Sequence, residues 1–529
     1  ANKKWEVRLP IIFSLALVAG MFLGYKLTQS TGRGLFGSNK QSSLQEALEL
    51  IRYRYVDPVN PDTLQQKAII EMIEGLDPHT VYLPPIDLKE ANEELAGNFE
   101  GIGVEFNVFK DTVTVTYVIP EGPSDKAGIL AGDKIIKAGD SSLLQKGIST
   151  EKIKSLIKGP RKSTLQLRLV RNGQQLSKKV TRGVIPTPSL EVAYLLDAQT
   201  GYIKLSRFAE TTYEEFMESL EALQGSGMTK LILDLRGNGG GLLNEAVQIA
   251  DEFLAGDKLI VYTEGLHSKR KEFRCERPGL FEKGELVLLV DEFSASASEV
   301  LSGAIQDWCR GTVIGRTTFG KGLVQEQYVL QDGAAIRLTV ARYFTPLGRS
   351  IQRSYEKGKK LYMDEAWDRY HNDSTTKNDS TNKKLKVKKY FTTCGDTLYG
   401  GGGITPTLKI SAEKEVAMPH ANLLLASMGE FSNFAFQFYR NNESTIKKMK
   451  SANNLLNDSI LQKQLWDGWV KHTQRDSLNY QIATTAEKKL VMERLMATVA
   501  RYQWRNEGFY QVVNSNDPYL RKALEVIKK

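Results

Sequence analysis

Histidine and cysteine are scarce in this chain of 529 residues, which has five of the former and three of the latter. They form neither the CxxC nor the HExxH spacing that is typical of zinc and thiol redox sites. These residues therefore predict no zinc site and no thiol redox site. Charge of one sign is not in great excess either, since 71 basic residues face 62 acidic ones. At this length, the net charge of +9 does not indicate a nucleic-acid partner.

The three cysteines are far apart in the sequence. Cys309 belongs to an apolar helical pattern with Ile305 and Trp308, so it is predicted to be a core residue. Cys275 and Cys394 could pair in an oxidising compartment, and the sequence leaves that question open.

Long apolar runs are absent except for residues 9–25, which contain no charged side chain. Lys3, Lys4 and Arg8 precede this run and Lys26 follows it. Because the run is just long enough to cross a bilayer, residues 1–26 are predicted to be an uncleaved membrane anchor, with a cleaved signal peptide as the alternative. The basic flank predicts a cytoplasmic N-terminus and an exported remainder.

Changes in composition divide the remainder into segments, and 41% hydrophobic residues suit a globular protein. The segments are a polar tether (27–43), an N-terminal helical region (44–96), a β-rich module (97–186), an α/β region (187–355), a low-complexity charged insertion (356–398) and a helical C-terminal region (411–529). The insertion is predicted to be flexible, because it has few apolar residues to bury. In the N-terminal region, Pro58 and Pro61 are predicted to separate two helices.

A strand, a turn of small residues and a helix follow one another twice in the α/β region. The first turn is Gly237–Gly241 and the second contains Ser294, Ser296 and Ser298. A serine at a helix N-terminus lies beside free backbone N–H groups that can stabilise a developing oxyanion. The alternative is that these serines only cap the helix, with Glu299 as the capping-box partner.

Lys321 strengthens the catalytic interpretation of the serine. It lies between Gly320 and Gly322, and a lysine in apolar surroundings has a lowered pKa and can accept a proton from a serine. A rival interpretation is a phosphate-binding loop, because residues 315–321 fit G-x4-G-K. Gly322 then occupies the position where that motif needs Ser or Thr, so a nucleotide site is not favoured.

Together these segments resemble the carboxyl-terminal processing peptidases, also called tail-specific proteases. The matching segments are LILDLRGNGGGLLNEA (231–246), VDEFSASASEVLSGAIQDW (290–308), GRTTFGKGLVQ (315–325), GIGVEF (101–106), GPSDKAGILAGDKIIKAGD (122–140), LDPHTVYL (76–83) and YGGGGITP (399–406). Thr407 departs from the family pattern, which usually has Asp at that position.

The resemblance implies a crotonase-like α/β protease core (187–355 and 399–410) with a PDZ domain at 97–186. It further implies an endopeptidase that cuts near protein C-termini without a metal or cofactor. Ser296 would be the nucleophile, Lys321 the general base and Gln325 its assistant. The N–H groups of Ala297 and of Gly240 or Gly241 would form the oxyanion hole.

The PDZ resemblance also implies how substrates are chosen. The turn Gly101, Ile102 and Gly103, followed by Val104, would bind the C-terminal carboxylate of proteins with apolar tails. Together with the anchor, the family implies a location on the periplasmic side of a bacterial inner membrane, and a homo-oligomer is possible. The alternatives are an inactive scaffold that only binds C-termini, and an acyl-CoA enzyme on the related fold.

Overall fold

Capping side chains mark where the first two helices begin. The computed structural model describes residues 13–14, 16–21, 42–371, 388–410, 420, 426–427, 429–474 and 480–527, in two compact units, Ala1–Gly75 and Leu76–Lys529. In the first unit, helices α1 (Ser43–Arg54) and α2 (Pro61–Glu74) confirm the break predicted at the prolines. Asn60 is the N-cap of α2, and its side chain accepts a hydrogen bond from the N–H of Asp62 at 2.9 Å.

Most of the predicted membrane anchor lies outside the described residues. Residues 13–14 and 16–21 are helical. Within the part of the chain that the structure describes, no helix combines the length and apolar character needed to cross a membrane. The anchor therefore stays a prediction.

The β-rich module is built around a six-stranded antiparallel sheet in the order β3–β4–β5–β7–β8, with β6 added to β5. Its elements and those leading into it are β1 (Val81–Leu83), α3 (Pro85–Ala96), β2 (Asn98–Gly101), β3 (Val104–Phe109), β4 (Thr112–Val118), α4 (Pro123–Lys126), β5 (Lys134–Ala138), β6 (Ser141–Ser142), α5 (Thr150–Ile157), β7 (Thr164–Arg171), β8 (Gln174–Thr181) and β9 (Gly183–Pro186). The module is rich in β-strands, as predicted. Among the described residues, β3 pairs with β4 alone and is an edge strand of this sheet.

Residues of the α/β region alternate between two buried faces of a second six-stranded sheet. Its order is β10–β11–β12–β15–β16–β21, parallel throughout except for β10. The strands are β10 (Leu190–Leu195), β11 (Thr200–Leu205), β12 (Lys230–Asp234), β15 (Glu285–Val290), β16 (Thr312–Gly315) and β21 (Leu408–Lys409). Leu231 and Leu233 face helices α6 (Thr212–Gly225), α7 (Leu243–Asp251) and α8 (Ala297–Asp307).

A third sheet lies beside this core. It has the order β1–β18–β13–β14, with β17 also paired to β18. These strands are β13 (Leu259–Glu264), β14 (Lys271–Arg274), β17 (Leu323–Val329) and β18 (Ala335–Phe344). The sheet brings the segment after Leu76 against the segment after Lys321, since β1 and β17 both pair with β18.

The predicted flexible insertion contains ordered elements at both ends. Helix α9 (Lys359–His371) follows the α/β region, and strands β19 (Lys389–Phe391) and β20 (Thr397–Tyr399) form a hairpin. The prediction failed here because the few apolar side chains are concentrated in α9, where Tyr362 is buried.

The cysteine prediction was wrong. Cys309 is not a core residue but forms a disulfide with Cys394, and Cys275 is buried and unpaired. Cys309 directly follows α8, and its bond ties the end of that helix to the β19–β20 hairpin. Partners 85 positions apart could not be recognised from local sequence.

The C-terminal region is helical, as predicted. Its helices are α10 (Glu430–Ile446), α11 (Ala452–Asn457), α12 (Ser459–Gln474), a 3-10 turn (Tyr480–Ile482), α13 (Thr485–Asn514) and α14 (Pro518–Ile527). Helix α14 covers the second face of the core sheet, where Leu520 and Ile527 pack with Ile232.

A kink in α13 brings the C-terminal region against the β-rich module. Trp504 and Arg505 have non-helical backbone angles. The Arg505 guanidinium lies 3.4 Å from the centroid of the Tyr117 ring and pairs with Glu105. Because Glu105 and Tyr117 are partners across β3 and β4, one cation contacts both strands.

Candidate active site

Ser296 occupies a sharp turn between strand β15 and helix α8. Its φ is 56°, a left-handed conformation that non-glycine residues seldom adopt. The flanking serines are tied to the glycine turn, since Ser294 Oγ donates to the carbonyl of Leu235 at 2.8 Å and Ser298 Oγ to that of Asn238 at 2.9 Å. Among the described residues, the Ser296 hydroxyl alone of the three donates no hydrogen bond.

The capping-box alternative is also present. The Glu299 carboxylate accepts the Ser296 N–H at 2.9 Å, and Ser296 is the N-cap of α8. The cap therefore fixes the backbone of Ser296, and it does not use the hydroxyl as a donor.

The glycine turn packs directly against Ser296. A Cβ on Gly240, whose φ is +100°, would lie 2.8 Å from the Ser296 Cβ, so only glycine fits there. The Gly240 N–H donates to Asn238 Oδ1 at 2.9 Å. In the described part of the chain, the N–H groups of Ala297 and Gly241 have no acceptor. Of the two glycines left open by the sequence, Gly241 is thus the one with a free donor.

Lys321 lies on the other side of the site and is held through a chain of neutral groups. Its Nζ donates to Gln325 Oε1 at 2.9 Å, and Gln325 Nε2 donates to the carbonyl of His79 at 2.5 Å. Burial, and then the charge of Arg337, lower the pKa of Lys321. A neutral amine is therefore favoured more than in water.

Glu299 connects the serine and lysine segments. Its Oε2 accepts the N–H groups of Ser296 and Lys321, both at 2.9 Å. Its Oε1 accepts the Thr318 hydroxyl at 2.5 Å and the Gly320 N–H at 2.7 Å. Burial raises the pKa of this side chain to about 7, against these four donors, which favour the carboxylate.

Tyr343 connects the same two segments at their carbonyl groups. Its buried hydroxyl is 3.0 Å from the carbonyl oxygen of Ser296 and also contacts that of Lys321. With Glu299 on the N–H side and Tyr343 on the C=O side, the backbones of Ser296 and Lys321 are held together from both directions.

Two comparisons with known proteins agree with this architecture. The model of peptidase family S41 matches residues 199–358, and that of the PDZ domain matches 101–181. A carboxy-terminal-processing protease of Bartonella bacilliformis is 32% identical over 347 residues, which are 63% of this chain and 79% of the relative. The chain belongs to peptidase family S41.

Further similar proteins are also named as carboxy-terminal processing proteases. The carboxy-terminal processing protease CtpA of Bacillus subtilis is 32% identical over 319 residues, which are 60% of this chain and 68% of that protein. Among solved structures, a photosystem II D1 C-terminal processing protease is 30% identical, covering 59% of this chain and 83% of that one, with a TM-score of 0.34. By its family and its curated relatives, this S41 peptidase is a serine-type carboxy-terminal processing endopeptidase with a PDZ domain.

The predicted tail-binding turn of the S41 peptidase lies at the start of the edge strand β3. Gly101 ends β2, Gly103 has a φ of +74°, and Val104 begins β3. Ile102 is buried and its carbonyl accepts the N–H of Ser124 at 3.0 Å. The turn is therefore anchored to helix α4, and among the described residues β3 pairs with a strand on one side only.

Sequence reasoning missed the groups that hold the S41 site together. Glu299 was considered only as a cap, and His79 only as part of the LDPHTVYL segment that resembles the family. Tyr343 carried no signal at all, because a tyrosine in an alternating strand pattern is ordinary. The signal for Glu299 was its position three residues after Ser296, but its bonds to Thr318 and Gly320 needed the fold.

Proposed function

We propose that this S41 peptidase cleaves peptide bonds with a dyad of Ser296 and Lys321, assisted by Gln325. The observation that carries the proposal is the joint anchoring of the two residues: Glu299 accepts both of their N–H groups, while the Lys321 amine is buried against the neutral Gln325. A buried lysine without a carboxylate on its Nζ is suited to act as a base.

In the proposed reaction, Ser296 Oγ attacks the carbonyl carbon of the substrate. The neutral Lys321 Nζ takes the hydroxyl proton and later gives it to the leaving amine. One N–H of the amine donates to Gln325 Oε1, so the lone pair of the neutral amine points away from Gln325 and is left to accept a proton. The free N–H groups of Ala297 and Gly241 would receive the negative charge on the carbonyl oxygen.

A set of three variants tests the dyad. Ser296→Ala and Lys321→Ala should each abolish cleavage of a fluorogenic peptide with an apolar C-terminus, with unchanged thermal unfolding. Lys321→Arg should be equally inactive, because a guanidinium keeps its proton. An active Lys321→Arg enzyme would eliminate lysine as the base.

We also propose that the Gly101–Val104 turn selects the substrate by its C-terminal carboxylate. Support comes from the PDZ match and from the one-sided pairing of β3, because PDZ domains bind an extended tail by adding it as a strand to a sheet edge. Amidation of the peptide C-terminus should slow cleavage, while labelling of Ser296 by a small phosphonate probe stays unchanged. Equal cleavage of free-acid and amidated peptides would contradict this role.

For location, we propose that residues 1–26 hold the enzyme on the exported side of a membrane. The apolar run of residues 9–25 and the Cys309–Cys394 disulfide both suit an oxidising, exported compartment. Cell fractionation followed by protease treatment of spheroplasts should find the enzyme membrane-bound and externally digestible. A soluble form that begins near residue 30 would indicate a cleaved signal peptide.

A further inference from the structure

Helix α9 lies just beyond the segment that the S41 model matches, which ends at residue 358. Most of its described side chains are exposed, but Tyr362 is only 2% exposed. The Tyr362 ring stands edge-on to His79 and to Phe319, with ring centroids 5.3 and 5.9 Å apart. A helix outside the matched family segment thus places one aromatic side chain against the loop that carries Lys321.

The Tyr362 hydroxyl contacts two side chains that flank Lys321. It lies 3.0 Å from His79 Nε2, and it accepts from Gln352 Nε2 at 3.2 Å. Gln352 Oε1 in turn accepts the N–H of Gly322 at 2.8 Å. The carbonyl of His79 holds Gln325, the hydrogen-bond partner of Lys321. The Tyr362 hydroxyl is therefore connected to Gln325 through His79 and to Gly322 through Gln352.

His79 is suited to this fixed position because it stays neutral. Burial and the charge of Lys321 lower the pKa of His79 to about 4. Its backbone is fixed as well, since Asp77 Oδ1 accepts the His79 N–H at 2.8 Å. The carbonyl of His79 is therefore held from its backbone by Asp77 and from its ring by Tyr362.

A second contact of the same helix covers a buried cation beneath the loop. The Arg353 guanidinium lies 4.1 Å from the Tyr362 ring centroid and 4.6 Å from that of Phe319. The backbone N–H of Arg353 donates to the backbone carbonyl of Gly320 at 3.0 Å. Farther along α9, Arg369 Nη1 lies 3.3 Å from the carbonyl of Thr318. Helix α9 therefore supports the lysine loop along its length.

We propose that α9 is a positioning element of the active site, in which Tyr362 acts through His79 and Gln352 to hold Gln325 and Lys321 in their reactive arrangement. The inference rests on the proposed dyad and adds to it a residue outside the segment matched by the family model. Tyr362 is a positioning residue, because it contacts the residues that hold the dyad.

The test is Tyr362→Phe in the full-length enzyme, which removes the hydroxyl and keeps the ring. We expect kcat to fall roughly tenfold, the worth of about one hydrogen bond, with KM and the thermal unfolding midpoint close to wild type. Leu361→Ala is the matched control, because Leu361 is the preceding residue on the same helix and is 55% exposed. It should leave kcat unchanged.

A second background separates this inference from the dyad itself. In a Gln325→Ala enzyme, Tyr362→Phe should lower kcat much less than in the wild type, because the group that it positions is gone. Wild-type kcat in Tyr362→Phe, or a full tenfold loss in both backgrounds, would overturn the inference. Activity that survives in Lys321→Ala would instead overturn the dyad, so the two failures are distinguishable.

Discussion

The serine side and the lysine side of the active site are built in different ways. Ser296 lies between a strand end and a helix start, and Ser294 and Ser298 bind the backbone of the adjacent glycine turn. Lys321 is in a loop without regular structure and is held through side chains: its Nζ donates to Gln325, which in turn donates to the carbonyl of His79, 246 positions away.

This difference implies that the two sides respond differently to substitution. Close backbone packing tolerates no added atom, so the serine side should fail abruptly. Long side chains can be removed one at a time, so the lysine side should weaken in steps. Glu299 belongs to both sides, because it accepts N–H groups from each.

The largest effect is expected on the serine side, from Gly240→Ala. The added Cβ would collide with Ser296 and Ala295, at 2.8 Å from each, and displace the nucleophile. We expect kcat/KM to fall by 10²-fold or more. Gly239→Ala is the control, because a Cβ there meets no atom within 4 Å; similar losses in both variants would contradict the steric argument.

Glu299→Gln tests the residue that belongs to both sides. A glutamine amide offers one acceptor oxygen and an NH2 group that can only donate, so two of the four groups now bonded to Glu299 would lose their acceptor. Two buried donors left unpaired at about 1–3 kcal/mol each should push the Ser296 and Lys321 segments apart, and we expect peptidase activity to fall by roughly 30-fold or more while the protein stays folded. Steady-state kinetics and circular dichroism measure the two, and full activity would show that the shared carboxylate is dispensable.

Opening the disulfide should affect stability more than chemistry. Cys394→Ser frees the β19–β20 hairpin from the end of α8, and cross-links of this kind contribute about 2–4 kcal/mol. We expect Cys394→Ser to have a lower thermal unfolding midpoint than the wild type. Wild-type enzyme treated with a reductant should unfold at the same lowered temperature. The Cys275→Ala variant should still be destabilised by reductant, because Cys275 is not part of the disulfide. If reductant had no effect on Cys275→Ala, the disulfide would have to involve Cys275 instead.

The smallest effect is a shift in pH dependence on the lysine side. The proposed dyad needs a neutral Lys321, so activity should rise with pH through the Lys321 pKa, which lies below its ordinary value of 10.5. Arg337→Gln removes a nearby positive charge, raises that pKa and moves the rise to higher pH by a few tenths of a unit to about one unit. Arg337→Lys should keep the wild-type profile, and an unshifted Arg337→Gln profile would show that Arg337 does not act on the lysine.

The same contrast explains what the sequence could predict. The strand before Ser296, the helix after it and the glycine turn are local patterns, and each was predicted. Lys321 and Gln325 were singled out by their motif, and their catalytic roles stay predictions. The contacts of Tyr362 were not, because they join α9 to segments that lie far away in the chain. The Cys309–Cys394 pair was missed for the same reason.

Helix α14 has a consequence for the time course of synthesis. It covers the face of the core sheet that includes Ile232, and it is bound there by the hydrogen bond from Lys230 to the carbonyl of Ile527, 297 positions away. At translation rates of roughly 5–20 residues per second, this interval lasts about 15–60 s. During that time the nascent chain carries an apolar sheet face exposed to water. A chain interrupted before Pro518 would keep that face exposed and be prone to aggregate or to be degraded.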